Sequence, residues 1–150
     1  MPQLDSADVT ARLNHGLLSL RHRKFNDAKA DMDWLREHKP ETDEARVGCA
    51  TMHCAVGEYA EAIPYYTALL DTHKEPEYYG ARAYCYLITG ELQEASDDIA
   101  SALELAPDDG ELYLYRAALN KMRFRPDDAR RDAIRATELG IDPRRAAEFM

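Results

Sequence analysis

Cys49, His53 and Cys54 come nearer than any other residues of this chain to a chemical site. Cys49 and His53 stand four apart, which on a helix places a thiol and an imidazole on one face. That spacing is compatible with two ligands of a metal ion, or with a thiol-dependent switch. Cys54 falls about 100° away around the same helix, and no second His/Cys pair is nearby in sequence. Packing accounts for the group equally simply, since a free cysteine behaves as a small buried hydrophobe. Packing is the expectation here, and no metal site is predicted. His15, at the repeat position equivalent to Cys49, is read as a packing or capping residue. No glycine-rich phosphate loop and no Gly-x-Ser-x-Gly elbow is present. The carboxylates follow helical spacing, with no apolar enclosure to shift them toward acid–base work. No catalytic residue, no cofactor and no enzymatic activity is therefore expected.

Composition narrows the class further. The 150 residues are 45% apolar and 31% charged, which suits one soluble globular domain and excludes a disordered chain. The formal net charge of −9 argues against a nucleic-acid backbone or an anionic membrane surface as main partner. Three cysteines cannot build a disulfide framework, which points to a reducing compartment, the cytoplasm. No window reaches the 18 or so consecutive apolar residues a membrane span needs. The opening MPQLDSADVT carries neither a basic nor an apolar leader region.

The elements that would position any site emerge from an internal repeat. Four segments share a small anchor: FNDAKADM at Ala28, YAEAIPYY at Ala62, LQEASDDI at Ala95 and PDDARRDA at Ala129. Their separations are 34, 33 and 34 residues. A second small residue precedes each anchor by 12: Gly16, Ala50, Ala83 and Ala117. Small residues on two facing helices let the helices approach closely. Gly57 and Gly90 fall where one helix must end and the next begin. Pro40, Pro76, Pro107 and Pro143 mark the ends of the units, since proline cannot continue a helix. The pattern predicts eight helices, over 7–22, 26–38, 43–56, 59–73, 77–89, 92–105, 110–122 and 126–139. A short turn would follow Pro143. Tyr65-Tyr66 and Tyr78-Tyr79 fall at helix-packing positions, which favours core and interface roles over any cofactor.

This pattern resembles the tetratricopeptide repeat, a helix–turn–helix unit of 34 residues. The best-kept copy is PEYYGARAYCYLITGELQEASDDIASALELAPDD, where Tyr79, Ala83, Tyr86, Gly90, Ala95, Ala102 and Pro107 occupy the signature positions. Arg23 and Phe124 stand where the turn glycine usually sits, so the first and last repeats are atypical. The resemblance implies an all-α fold, a right-handed α-solenoid of about four units. It is expected to form a single domain over 1–150, with repeats at about 9–42, 43–75, 76–109 and 110–143 and a C-terminal turn at 144–150.

In such a solenoid the first helix of each repeat lines the concave surface, as the resemblance implies. The inward stripe is then Thr10, Leu13, Leu17 and Leu20 in repeat 1, and Glu44, Val47, Thr51 and Cys54 in repeat 2. It continues as Glu77, Gly80, Tyr84 and Leu87, and ends as Glu111, Leu114, Ala118 and Lys121. The expected partner-binding residues are Leu13, Leu17, Leu20, Val47, Thr51, Tyr84, Leu87 and Leu114, with Glu44, Glu77 and Glu111 along one rim. Two readings of the three glutamates stay open: first-turn residues that favour the helix dipole, or an acidic rim that selects basic or amide-rich partners. The apolar positions likewise suit either a groove or simple packing between helices. Family members that grip a C-terminal carboxylate do so with Lys and Asn on this surface. Here the matching positions are Leu13 with Leu17 and Val47 with Thr51, which cannot pair with a carboxylate.

An extended apolar peptide or an amphipathic helix of a partner protein is therefore the expected ligand. Three or four anchors at roughly 1.5–3 kcal/mol each, less the cost of association, give about micromolar binding. Residues 43–109 carry 3 basic and 14 acidic side chains, a field that either attracts cationic segments or simply solvates the outer face. The basic KMRFRPDDARR stretch is read as a helix terminus and its flanks. The chain is also similar to bacterial type III secretion chaperones, most clearly in GEYAEAIPYYTALL and the repeat that follows it. That likeness implies a cytoplasmic chaperone or adaptor. The alternative is an assembly scaffold that binds a folded partner by its convex or edge surface; a metal- or thiol-dependent regulator is a third class.

Overall fold

A computed structural model describes residues 6–150. The leader-free reading of the chain start lies in part on Met1–Asp5, outside the described residues. The helices are α1 (Ser6–Arg21), α2 (Phe25–His38), α3 (Asp43–Ala55), α4 (Tyr59–Thr72), α5 (Pro76–Thr89), α6 (Leu92–Leu105), α7 (Gly110–Met122) and α8 (Pro126–Glu138). A short α9 (Pro143–Ala146) and a 3-10 turn (Ala147–Phe149) follow. Every helix expected from the repeat is present, its ends displaced by no more than a single residue. Among the described residues there is no strand.

The chain divides into two compact units, Met1–His73 and Lys74–Met150. Each holds two helix–turn–helix pairs. In the first unit α1 pairs with α2 and α3 with α4, and α3 also packs against both α1 and α2. In the second, α5 pairs with α6 and α7 with α8, and α7 packs against both α5 and α6. The small residues read from the repeat are the contact points. Ala28, Ala50, Ala62, Ala83, Ala95, Ala117 and Ala129 are all buried, as is Gly16. A larger side chain at these places would hold the paired helices apart.

One turn geometry recurs in all four pairs. Arg23, Gly57, Gly90 and Phe124 have φ of 60°, 82°, 84° and 60°. Each time, the following amide reaches back to a carbonyl five residues earlier: Lys24 to Ser19 at 2.7 Å, Glu58 to His53 at 2.7 Å, Glu91 to Tyr86 at 2.9 Å and Arg125 to Asn120 at 2.8 Å. This bond satisfies a carbonyl that the helix end would otherwise orphan, and it needs a left-handed residue just before it. Glycine supplies that conformation without strain in the second and third pairs. Arg23 and Phe124 adopt it against the crowding of their Cβ atoms.

Apolar burial closes each unit. In the first, Val9, Met32, Leu35, Ala45 and Cys49 form the core, with Leu13, Leu17, Leu20, Trp34, Met52 and Tyr65 packed around it. In the second, one cluster joins Ala83, Leu87, Ala95, Ile99 and Leu119, and another joins Leu114, Ala117, Ala133, Ala136 and Ala146. Ile141 and Phe149 pack on the latter, so the C-terminal turn is seated on the last helix pair. Asp142 caps α9 by accepting from the Arg144 amide at 2.9 Å.

Candidate functional site

In the second unit, the first helices α5 and α7 bring apolar residues onto one surface because helical neighbours recur every three or four positions. Tyr84, Leu87 and Ile88 come from α5, and Leu114, Tyr115, Ala118 and Met122 from α7. They line a cleft of about 290 Å³ together with Arg145, Glu148 and Phe149 of the C-terminal turn. Leu87 and Leu114 form its buried floor, while Tyr84, Ile88 and Met122 stand 38%, 51% and 44% exposed. The Tyr84 and Tyr115 rings meet at 5.6 Å, tilted by 44°. Burial, reinforced by the charge of Glu111, pushes the Tyr115 hydroxyl up to about 12, so it stays neutral over any ordinary pH.

The rim is polar and internally tied. Arg145 grips Glu111 through two bonds of 2.5 and 2.8 Å. Lys121 lies 5.5 Å above the Phe149 ring and donates to the Glu148 carbonyl at 3.3 Å. Of the three glutamates that recur at one repeat position, Glu111 is thus engaged by a cation of its own chain, Glu77 is exposed and Glu44 is half-buried.

The first unit places its stripe differently. Leu13, Leu17 and Leu20 are half-buried and lean on the core of that unit. Val47 and Thr51 lie on α3, also half-buried, and the Thr51 hydroxyl donates to the Val47 carbonyl at 2.7 Å. The structure therefore gathers Tyr84, Leu87 and Leu114 at one cleft, and keeps Leu13, Leu17, Leu20, Val47 and Thr51 in the other unit. Ile88, Tyr115, Met122 and Phe149 join the cleft without having been read from sequence. The signal for the first three was present: each stands one or four residues from a stripe position.

Cys49 and His53 do not converge on a ligand. Cys49 is buried, its Sγ lies 3.8 Å from the Met32 carbonyl oxygen, and it hydrogen-bonds Tyr65; burial pushes its thiol up. His53 stacks on Tyr65 at 5.8 Å and lies 3.4 Å from Glu58. Cys54 Sγ is 3.9 Å from the Tyr66 hydroxyl. Among the described residues no group of three or more His, Cys, Asp or Glu is placed to hold a metal ion.

A second regularity escaped the sequence reading. The first helix of each pair is tied to its second by side chains 16 residues apart: His15–Asp31, Cys49–Tyr65, Arg82–Asp98 and Arg116–Asp132. Arg82 donates to both Asp98 oxygens at 2.7 Å. Arg116 does the same to Asp132 at 3.1 and 2.9 Å, and Asn120 adds a bond of 2.9 Å. These two-pronged bonds fix how α5 and α7 sit over α6 and α8, and hence where Tyr84 and Tyr115 project. The recurrence of Arg and Asp at one repeat interval was the available signal.

No helix among the described residues is long and apolar enough to cross a membrane. Residues 50–110 match the family model described as tetratricopeptide repeat. A stretch of 64 residues, 43% of the chain, is 34% identical to the mitochondrial import receptor subunit TOM70 of Saccharomyces cerevisiae. It covers 10% of that receptor, so the chain spans about a tenth of the curated relatives it matches. Among solved structures, a tetratricopeptide repeat protein from Parabacteroides merdae is 22% identical over 94% of this chain and 56% of its own, with a TM-score of 0.75. YrrB, described as a TPR protein with an unusual peptide-binding site, is 17% identical over 96% of this chain and 75% of its own, with a TM-score of 0.80. At such identities the likeness shows the fold alone, and it covers both units. Residues 50–110 thus carry a tetratricopeptide repeat match, and the fold of the helix pairs on either side of them is similar to that of tetratricopeptide repeat proteins.

Proposed function

We propose that this chain is a non-catalytic protein-interaction module that holds an extended apolar or helical segment of a partner protein on the first-helix face of its repeats. The observation that carries the reading is the cleft between α5 and α7, where Tyr84, Ile88 and Met122 stand in solvent above the buried Leu87 and Leu114. A surface with exposed large apolar side chains beside a preformed hollow is what a docking segment needs. Leu13, Leu17, Leu20, Val47 and Thr51 would offer a further stripe in the other unit, and Glu44 and Glu77 would favour basic neighbours in the partner. Two similar proteins are named for related work, YrrB for a peptide-binding site and TOM70 as an import receptor subunit.

A chaperone or adaptor of the type III secretion kind would be one form of this function, supported by the residues of GEYAEAIPYYTALL and the repeat after it. A cytoplasmic setting belongs to the same reading, supported by three cysteines that form no disulfide. The test is a pull-down from native cytosol with peptide mapping of the captured protein, repeated with Tyr84→Glu and Ala118→Glu. Capture is expected to fall at least about tenfold with each variant while far-ultraviolet circular dichroism is unchanged. Capture that survives both changes would move the partner to another surface.

A further inference from the structure

We propose that the second unit associates head to tail with a second copy of this chain, the Phe124 turn of one copy docking on the Leu105 end of the next. Phe124 is 90% exposed and sits at φ 60°, in the turn position that glycine fills in two other repeats. An aromatic ring in water, on a backbone conformation that crowds its own Cβ, adds nothing to the fold that holds it; contact residues have this character. Arg23, the other side chain in this conformation, at least lays its guanidinium 5.4 Å above the Phe25 ring.

Cations surround Phe124. Lys121 and Arg125 are exposed and Arg123 is half-buried. Lys121 lies 3.9 Å from the Glu148 carboxylate, and Arg123 donates to the neutral Gln93 at 3.3 Å. The nearby Asp127 and Asp128 are held by Arg130 and Arg131 of their own helix. At the opposite end of α7 the arrangement is inverted. Leu105, 50% exposed, closes α6 beside Glu104, Asp108 and Asp109, all exposed. Asp108 lies 3.8 Å from Arg135, and Asp109 caps α7 through the Glu111 amide at 3.0 Å.

The 13 residues of α7 separate these ends by about 20 Å, so one copy cannot bring its own two ends together. A second copy can. Each end presents an apolar residue among charges in which one sign is in excess, basic around Phe124 and acidic around Leu105, and the signs are opposite. Unlike ends of one molecule form a heterologous contact that can repeat along a chain of copies. A contact of this size is weak and is screened by salt.

Sedimentation velocity of the full chain over roughly a hundredfold concentration range tests this, at low and at high salt. The average mass is expected to rise with concentration at low salt and to stay monomeric at high salt. Phe124→Gly and Leu105→Lys each remove one end, so each alone is expected to be monomeric. Their equimolar mixture still offers one intact pair of ends and is expected to give a dimer that grows no further. Phe124→Gly should also melt a few degrees higher than the parent, which separates lost contact from lost fold. Asp108→Lys replaces Leu105→Lys should that variant lose helicity. A parent that is monomeric throughout, a Phe124→Gly variant that associates like the parent, or a mixture that gives no dimer would each overturn the proposal.

Discussion

Removing the Asp98 carboxylate should be the most damaging polar change in the second unit. Asp98 is 4% exposed and the Arg82 side chain 17% exposed, so their pairing takes place largely out of water. Both Asp98 oxygens accept from Arg82 at 2.7 Å, and these bonds hold the guanidinium in its charged form and push its pKa up. Asp98→Ala leaves the guanidinium buried and deprived of that carboxylate, which costs about 3–5 kcal/mol. Asp132→Ala should cost less, about 1–3 kcal/mol, because Arg116 is 42% exposed and can turn to water, although buried Asn120 also loses its acceptor. Asp31→Ala should cost roughly 0–1 kcal/mol, since Arg12 lies 3.5 Å away and both Arg12 and His15 are well exposed. Replacing the pair together, Arg82→Met with Asp98→Leu, should restore most of the loss, because no charge is then stranded. Urea unfolding followed by circular dichroism reads all four variants as shifts in midpoint at constant slope. A cost below about 1 kcal/mol for Asp98→Ala, or a larger cost for Asp31→Ala, would refute the reasoning from burial and geometry.

Phe124→Gly should stabilise the chain by about 1 kcal/mol by relieving the left-handed turn. Arg23→Gly should gain about half as much, since its contact with Phe25 is lost, and Gly90→Ala should lose about 1 kcal/mol; thermal melts rank the three. Gly110→Ala places a Cβ 2.8 Å from Ile141 Cγ1 and 3.2 Å from the Ala136 carbonyl oxygen. A loss of about 1–3 kcal/mol is expected, as read by the same melts. The pKa of Tyr115 is raised in the fold, from 10.0 to about 12, so the folded state keeps the proton that the unfolded chain releases first. Its contribution is complete below pH 10 and is lost as pH rises through about 12; Tyr115→Phe should flatten that alkaline decline in an unfolding-versus-pH series.

The sequence made the helices legible because their determinants are local and repeat. Ala28, Ala62, Ala95 and Ala129 recur at fixed spacing, and a small residue 12 positions earlier announces each partner helix. Turn chemistry was legible too: Arg23 and Phe124 were recognised as replacing glycine, and the structure holds both at φ 60°. The site was legible only in outline. Tyr84, Leu87 and Leu114 follow from the stripe, but Ile88 and Met122 lie on its shoulder, where one turn of α5 against α7 decides between core and solvent. The engagement of Glu111 by Arg145 depends on how the turn after Pro143 folds back, which no local pattern encodes. The Arg82–Asp98 and Arg116–Asp132 ties were missed for another reason. Arginine and aspartate on amphipathic helices read as solvated residues unless their shared repeat interval is compared across a helix pair.

A photoreactive amino acid placed at position 84, and separately at the exposed Ile134 of α8, tests the central claim most directly. After irradiation in native cytosol, position 84 should give a discrete adduct whose captured peptide is apolar, and position 134 should not. An adduct from position 134 with none from position 84 would place the partner on the outer helices and contradict the account.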